Sequence, residues 1–203
     1  MRNNVYMILV LISLLPGCLI KTNPPADIYT ISPRWNNNDI QIEPQKKSSH
    51  IIKLAPIRAT RALTGTEILY SDTEYSWNSY LYSRWNDTPV KMLQTLFQVS
   101  IEESHSFKAV VPPSSVSTAD LLLESTLLDL SHHINVDGAS EGVIRIQFYL
   151  IDNMNRTVIA TKQFVSKIPT STQNAKGVVR ALNKAATNIA HKLVVWLTES
   201  GRI

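Results

Sequence analysis

Gly142-Val143-Ile144-Arg145-Ile146-Gln147-Phe148-Tyr149-Leu150-Ile151 alternates along its length, with Ile144, Ile146, Phe148 and Leu150 on one side and Arg145, Gln147 and Tyr149 on the other. Successive side chains of a strand point to opposite faces, so this period of two predicts a β-strand with one buried face. Asp152-Asn153-Met154-Asn155 follows with turn chemistry, and Thr157–Val165 returns as the hairpin partner. Upstream, Ala119–Val136 is a long β-prone run, polar at Ser125 and Asp129 between leucines. Downstream the period changes. Across Ala175–Glu199, Val178, Leu182, Ala185, Ile189, Leu193 and Trp196 or Leu197 form one apolar helical stripe, and Gly201 stands past its end.

The first half reads as shorter pieces. Asp27–Ile31, Ile51–Ile57 and Thr66–Tyr70 have strand character, with Pro56 marking an edge or a strand end. The segment from Tyr70 through Tyr82 is aromatic and turn-like. Thr88-Pro89 opens a helix, with threonine at the N-cap and proline at the first helical position, where a missing N–H costs nothing. Leu93, Leu96, Phe97 and Ile101 follow at helical spacing, and Phe107–Val111 is a further strand ended by Pro112-Pro113. Sequential hairpins with one helix in the middle and one at the C-terminus predict an α+β fold. Its antiparallel sheet would have two helices packed on one face, in a single domain.

The chain has 203 residues, 44% hydrophobic and 18% charged, a globular composition of one domain's length. Its net charge of +4 is spread over Lys46-Lys47, Arg58, Arg61, Arg84, Lys162, Lys167, Lys184 and Lys192, with no dense cluster. Nucleic acid requires a concentrated basic face, so no nucleic-acid partner is expected. From Leu19 to about Ser49 the chain is polar and rich in Asn, Pro and Lys, as in a tether followed by irregular structure.

Chemistry-bearing motifs are scarce. There is no Gly-x-Ser-x-Gly elbow and no glycine-rich phosphate loop, so no catalytic residue and no cofactor is assigned. His132-His133 is the candidate metal pair, but neighbours on a strand face opposite ways and cannot easily share an ion. Both read as surface or sheet-end histidines, and no metal site is assigned. Tyr70, Tyr75, Trp77, Tyr80, Tyr82 and Trp85 form a dense aromatic segment. Trp85 and Tyr80 read first as core, sealing the first helix against the sheet. Tyr75 and Trp77, read as loop residues, fit core or a partner- or lipid-facing surface equally. Tyr75, Trp77, Tyr80 and Trp85 are therefore the candidate partner-binding residues.

Arg2 precedes the apolar run Val5–Leu15, and Leu15-Pro16-Gly17-Cys18 then places small residues before the single cysteine. This run of eleven residues, apolar but for Ser13, falls well short of the ~20 that span a bilayer as a helix. Charged start, apolar middle and small-residue site make a secretory signal, and ending on cysteine it resembles a bacterial lipoprotein signal. The resemblance implies that residues 1–17 are removed, that Cys18 is acylated, that 18–27 are a tether and that 28–203 are the domain. An ordinary cleaved signal with an incidental Cys18, or an N-terminal core helix, is the alternative. A lone cysteine allows no internal disulfide.

Ile68-x-Tyr70, Tyr80-x₃-Arg84-Trp85 and Pro89-x₂-Met92-Leu93 with Leu96 resemble the signature of the ABC-type transport auxiliary lipoproteins, the group of paraquat-inducible protein C. Leu121-Leu122-Leu123-Glu124, Leu128-Asp129-Leu130, Arg156-Thr157-Val158-Ile159 and the closing Trp196-Leu197 are similar as well. The resemblance implies a non-enzymatic lipoprotein of an ABC system that moves lipid across the bacterial envelope. It would work with a periplasmic MCE-domain protein, a permease and an ATPase. Leu19 after the acylated cysteine, rather than aspartate, implies sorting to the outer membrane, with the domain facing the periplasm. A structural or assembly lipoprotein, and a carrier with a lipid pocket between sheet and helices, are the competing readings. Homo-oligomerisation is compatible with all three.

Overall fold

The alternation at Gly142–Ile151 becomes the centre of a long antiparallel meander. The structure, a computed structural model, describes residues 24–32, 48–73 and 75–200. Cys18, the expected signal segment and most of the expected tether lie outside the described residues. The strands are β1 (Asp27–Tyr29), β2 (Ile51–Leu54), β3 (Arg58–Ala59), β4 (Glu67–Thr73) and β5 (Ser76–Trp85), followed by helix α1 (Pro89–Glu103). Then come β6 (Ala109–Val111), β7 (Leu121–Ile134), β8 (Ser140–Asp152), β9 (Thr157–Pro169) and helix α2 (Ala175–Ser200).

All nine strands join one sheet organised around β7. On one edge β7 pairs antiparallel with β8, and β8 with β9. Its other edge is shared by three short strands that run parallel to it in succession. β2 lies along Ile52↔Leu121, β3 along Arg58↔Thr126 and β4 along Tyr70↔His132. β6 extends the sheet beyond β2, and β5 then β1 extend it beyond β4. The α+β plan with two helices therefore holds, and the sheet is mixed rather than antiparallel throughout. Parallel partners need long connections, and those between β2 or β4 and β7 run through α1.

The segment expected to be turn-like is mostly strand. β4 continues to Thr73 and β5 starts at Ser76, so the reversal is confined to residues around Tyr75. Ser, Asn and Asp mask the pattern, but a backbone ladder to β4 and then to β1 fixes the extended conformation. At α1, Thr88 holds the N-cap position and Pro89 the first turn, yet the threonine hydroxyl makes no capping bond. The Thr88 carbonyl accepts from Lys91 N and Met92 N instead.

Both helices cover one face of the sheet. The α2 stripe of Val178, Leu182, Ala185, Ile189, Leu193 and Leu197 is buried, with Trp196 at its margin. Each fully buried Leu, Ile or Phe contributes about 1.5–3 kcal/mol. Aromatic edges tie the layers together: Phe97 of α1 meets Phe148 at 5.5 Å, Phe148 meets Phe164 at 5.9 Å, and Phe164 meets Trp196 at 6.2 Å. Trp85 is 1% exposed, in the core as expected. Asn183 of α2 accepts from Ser32 N at 3.0 Å and donates to the Thr30 carbonyl at 3.0 Å, clasping the chain just after β1. No helix of the described residues is long and apolar enough to cross a membrane.

Sheet and helix approach closely at Gly142. A Cβ there would stand 3.0 Å from Ala181 Cβ and 3.2 Å from the Leu182 backbone nitrogen. Gly142→Val is expected to push α2 off β8 and lower stability by about 1–3 kcal/mol, read as a lower urea midpoint.

Candidate functional site

A bulge at Leu128 decides which side chains of β7 face where. Leu127 opposes Ile146 and Leu130 opposes Ile144, so three residues of β7 cover two of β8 and the alternation changes phase. Before the bulge Leu121, Leu123 and Leu127 are buried toward the helices; after it Leu130 and His132 take that side. Asp129, Ser131 and His133 consequently project from the opposite face.

His132 is fully buried, not a surface histidine as its sequence neighbourhood implied. It lies between Gly142 of β8 and Tyr70 of β4 in register. Its Nδ1 is hydrogen-bonded to the Tyr80 hydroxyl at 2.6 Å, and the two rings stack at 6.2 Å. The Tyr80 ring also packs on Tyr70 at 5.1 Å. Nε2 of His132 is buried with no hydrogen-bond partner among the described residues. Burial pushes the Tyr80 hydroxyl up to about 12, with Tyr70 adding to the rise. Burial also pulls the His132 imidazole below its usual range, and His133 adds to the fall. Both partners are thus neutral at physiological pH, and their bond pins the β4–β5 hairpin to β7.

On the far face, Ser131 Oγ donates to Asp129 Oδ1 at 2.6 Å, and His133 Nε2 lies 2.9 Å from Asp129 Oδ2. Serine, histidine and aspartate suggest a nucleophilic triad, but the order is wrong for one. Activation needs the imidazole between hydroxyl and carboxylate, and here the carboxylate stands in the middle with Ser131 fully buried. The arrangement buries a carboxylate with its hydrogen bonds satisfied and leaves no activated oxygen. The two adjacent histidines face opposite ways, as strand geometry requires. Among the described residues no group of three or more His, Cys, Asp or Glu side chains is placed to hold a metal ion.

The four aromatic candidates separate cleanly. Trp85 is core, and Tyr80 is half-buried as the hairpin's anchor. Tyr75, at the reversal, is 92% exposed and Trp77, on β5 rather than on a loop, is 42% exposed. Trp77 borders an open hollow of about 410 Å³ with Ser71, Asp72, Asp129, His133 and Val136. The structure therefore brings Trp77 and the Asp129–His133 pair together, and holds Tyr75 and Trp77 outward on a strand pair fixed from beneath. The roles of Asp129, Ser131 and His132 were not read from the sequence. Their signal was the two-residue spacing of Asp129, Ser131 and His133 and the Leu127-Leu128 doublet that interrupts the alternation.

Comparison with known proteins agrees with this architecture. Residues 32–194 match the family model described as the ABC-type transport auxiliary lipoprotein component. The fold is similar to a crystal structure of a Xanthomonas campestris protein, with a TM-score of 0.72 and 20% identity over 88% of this chain and 95% of that one. It is similar as well to a second solved protein, described as uncharacterized, with a TM-score of 0.64 and 12% identity over 86% and 99% of the two chains. No curated protein matches the chain.

The Tyr80–His132 bond has a pH signature. Below its ordinary value of 6.5 the unfolded chain's imidazole takes a proton that the native one refuses, so stability falls as pH falls through that range. Urea midpoints are expected to drop between about pH 7.5 and about pH 5.5. His132→Asn, which keeps a polar group near the Nδ1 position without a titrating ring, should flatten that drop. Tyr80→Phe should cost about 1–3 kcal/mol at neutral pH, because His132 is left buried without its partner.

Proposed function

The chain belongs to the ABC-type transport auxiliary lipoprotein family, and from that premise we propose that it is a non-catalytic docking component of an ABC system that moves lipid through the bacterial envelope. In this reading acylated Cys18 tethers the domain to the outer membrane on its periplasmic side. An acyl chain gains about 0.8 kcal/mol per buried CH₂, and more than one chain holds durably. The domain then engages an MCE-domain protein that works with a permease and an ATPase.

One observation carries the docking surface: Tyr75 and Trp77 stand exposed at the end of a hairpin that two of its other aromatics, Tyr70 and Tyr80, lock to β7. Rigid aromatic side chains supply large contact area at little entropic cost, which is why they are enriched where proteins associate. A mobile loop would have to be ordered on binding, whereas this hairpin is already held. The competing carrier reading requires room between sheet and helices, and that layer is filled by Leu182, Ile189, Leu193, Phe97 and Phe148. A structural or assembly role without lipid transport would use the same surface, so partner identity separates the two.

Tyr75→Ala combined with Trp77→Ala is expected to abolish crosslinking to the MCE-domain component while leaving the unfolding free energy from urea titration within about 0.5 kcal/mol of wild type. Crosslinking at wild-type yield would exclude the hairpin tip as the docking surface. Recovery of assembly factors without transporter components would favour the assembly role. Cys18→Ala is expected to move the protein from the membrane fraction to the soluble periplasm. Continued sedimentation with membranes would remove the lipid anchor from this account.

A further inference from the structure

The solvent face of α2 is basic from end to end. Lys176, Arg180 and Lys184 recur every four residues, and Lys192 lies two such steps further on, so the row winds slowly across the solvent half of the helix, and all four are exposed. No acidic residue stands on α2 before Glu199. Ion pairs among the described residues join Arg58 to Glu124, Lys91 to Asp87, His133 to Asp129 and Lys167 to Glu141, so none neutralises this row. Charges that look dispersed along the chain are aligned by the helix.

Near its C-terminal end this face meets the sheet's edge strand, β9, which pairs with β8 on its other side. Lys162 opposes Phe148 in register and so lies on the helix-facing side with Phe164, two residues on, yet it is exposed. A hollow of about 330 Å³ opens between Lys162 and the helix. His191 and Lys192 line it with Lys162, together with the apolar surfaces of Phe164, Val195 and Trp196, and Glu199 completes the lining. An inward-facing lysine on an edge strand discourages edge-to-edge pairing. That accounts for Lys162 but not for the lysine and histidine of α2, Lys192 and His191, that share its hollow.

We propose that this hollow binds the phosphate head group of an anionic amphiphile. Lys162, His191 and Lys192 would take the phosphate oxygens, and Phe164, Val195 and Trp196 the first methylenes of the chain. Charge-assisted hydrogen bonds from lysine to phosphate are strong, and a neighbouring imidazole adds a further donor. Glu199 is a single carboxylate against three basic side chains. The apolar surface distinguishes an amphiphile from a free ion, because contact with it rewards only a ligand that carries hydrocarbon. An acidic polypeptide would find its complement along the whole Lys176–Lys192 row and would have no use for a phenyl and an indole in the hollow. The site lies on β9 and α2, so it does not depend on the hairpin as a docking surface.

The full chain carrying Cys18→Ser, so that no anchor intervenes, would be titrated with dihexanoyl phosphatidylglycerol below its micelle concentration. Inorganic phosphate and dihexanoyl phosphatidylcholine would be titrated in parallel, each followed by indole fluorescence and by the His191 ring signals in NMR. Saturable binding of phosphatidylglycerol is expected, weakened about tenfold or more by Lys162→Gln with Lys192→Gln. Phosphatidylcholine, whose charge is cancelled, should bind far more weakly. Lys176→Gln, Arg180→Gln and Lys184→Gln together should leave the affinity within about twofold, since these cations stand outside the hollow. Equal loss in that triple variant would mean diffuse attraction to the helix and overturn the site. Inorganic phosphate binding as tightly as the lipid would overturn the amphiphile. An unchanged affinity in the Lys162, Lys192 double variant would overturn the proposal altogether.

Discussion

Pairing along β7 is the constraint on which the rest of the molecule depends. A 14-residue strand buried within a sheet must satisfy its backbone N–H and C=O groups on both edges. β8 does so along the length of one side, interrupted at the Leu128 bulge. On the other, no single strand suffices, and β2, β3 and β4 divide the edge between them, each parallel to β7. The parallel sense sends the intervening chain away and back through α1, which is why a helix must cover the sheet at that point. The position of α1, the outward course of β5 and the hairpin tip all follow from how that edge is filled.

The bulge at Leu128 is the second determinant, and it is local. Without the extra residue, the polar groups of Asp129, Ser131 and His133 would point into the layer beneath the helices. Burying three polar groups there without partners would cost several kcal/mol. With it, Leu130 and His132 continue the inner face, and a carboxylate with two neighbouring donors sits on the outer one. His132 joins Ser125 as a buried polar side chain on the apolar side, and Tyr80 reaches across from β5 to meet the imidazole. His132 is thus the buried polar residue that joins the hairpin to the sheet.

How far this was legible in the sequence depended on the range of the interaction involved. β8, β9 and α2 could be read directly, because their patterns are long and their partners adjacent. β5 was hidden because Ser76–Trp85 is exposed over most of its length, so neither face imposes a binary pattern. The parallel pairing of Ile52 with Leu121 joins residues about 70 positions apart, and periodicity carries no information about which distant strand is the partner. His132 was misread because its facing depends on a phase change four residues earlier. The basic row on α2 was overlooked by counting charges along the chain, where Lys176, Arg180 and Lys184 look sparse, instead of around the helix.

The order in which strands appear along the chain governs how the protein can reach its native state. β1 has no partner until β5 exists, and β2 none until β6 and β7 follow. The meander of β7, β8 and β9 with α2 closes through near neighbours, so a folding nucleus assembled there would be the cheapest in chain entropy. A polypeptide emerging from a translocation channel N-terminus first would therefore present Ile51–Leu54 as an unpaired sticky strand for much of its passage. Such a segment calls for a holding chaperone or rapid completion of export, and slow delivery would favour aggregation over assembly.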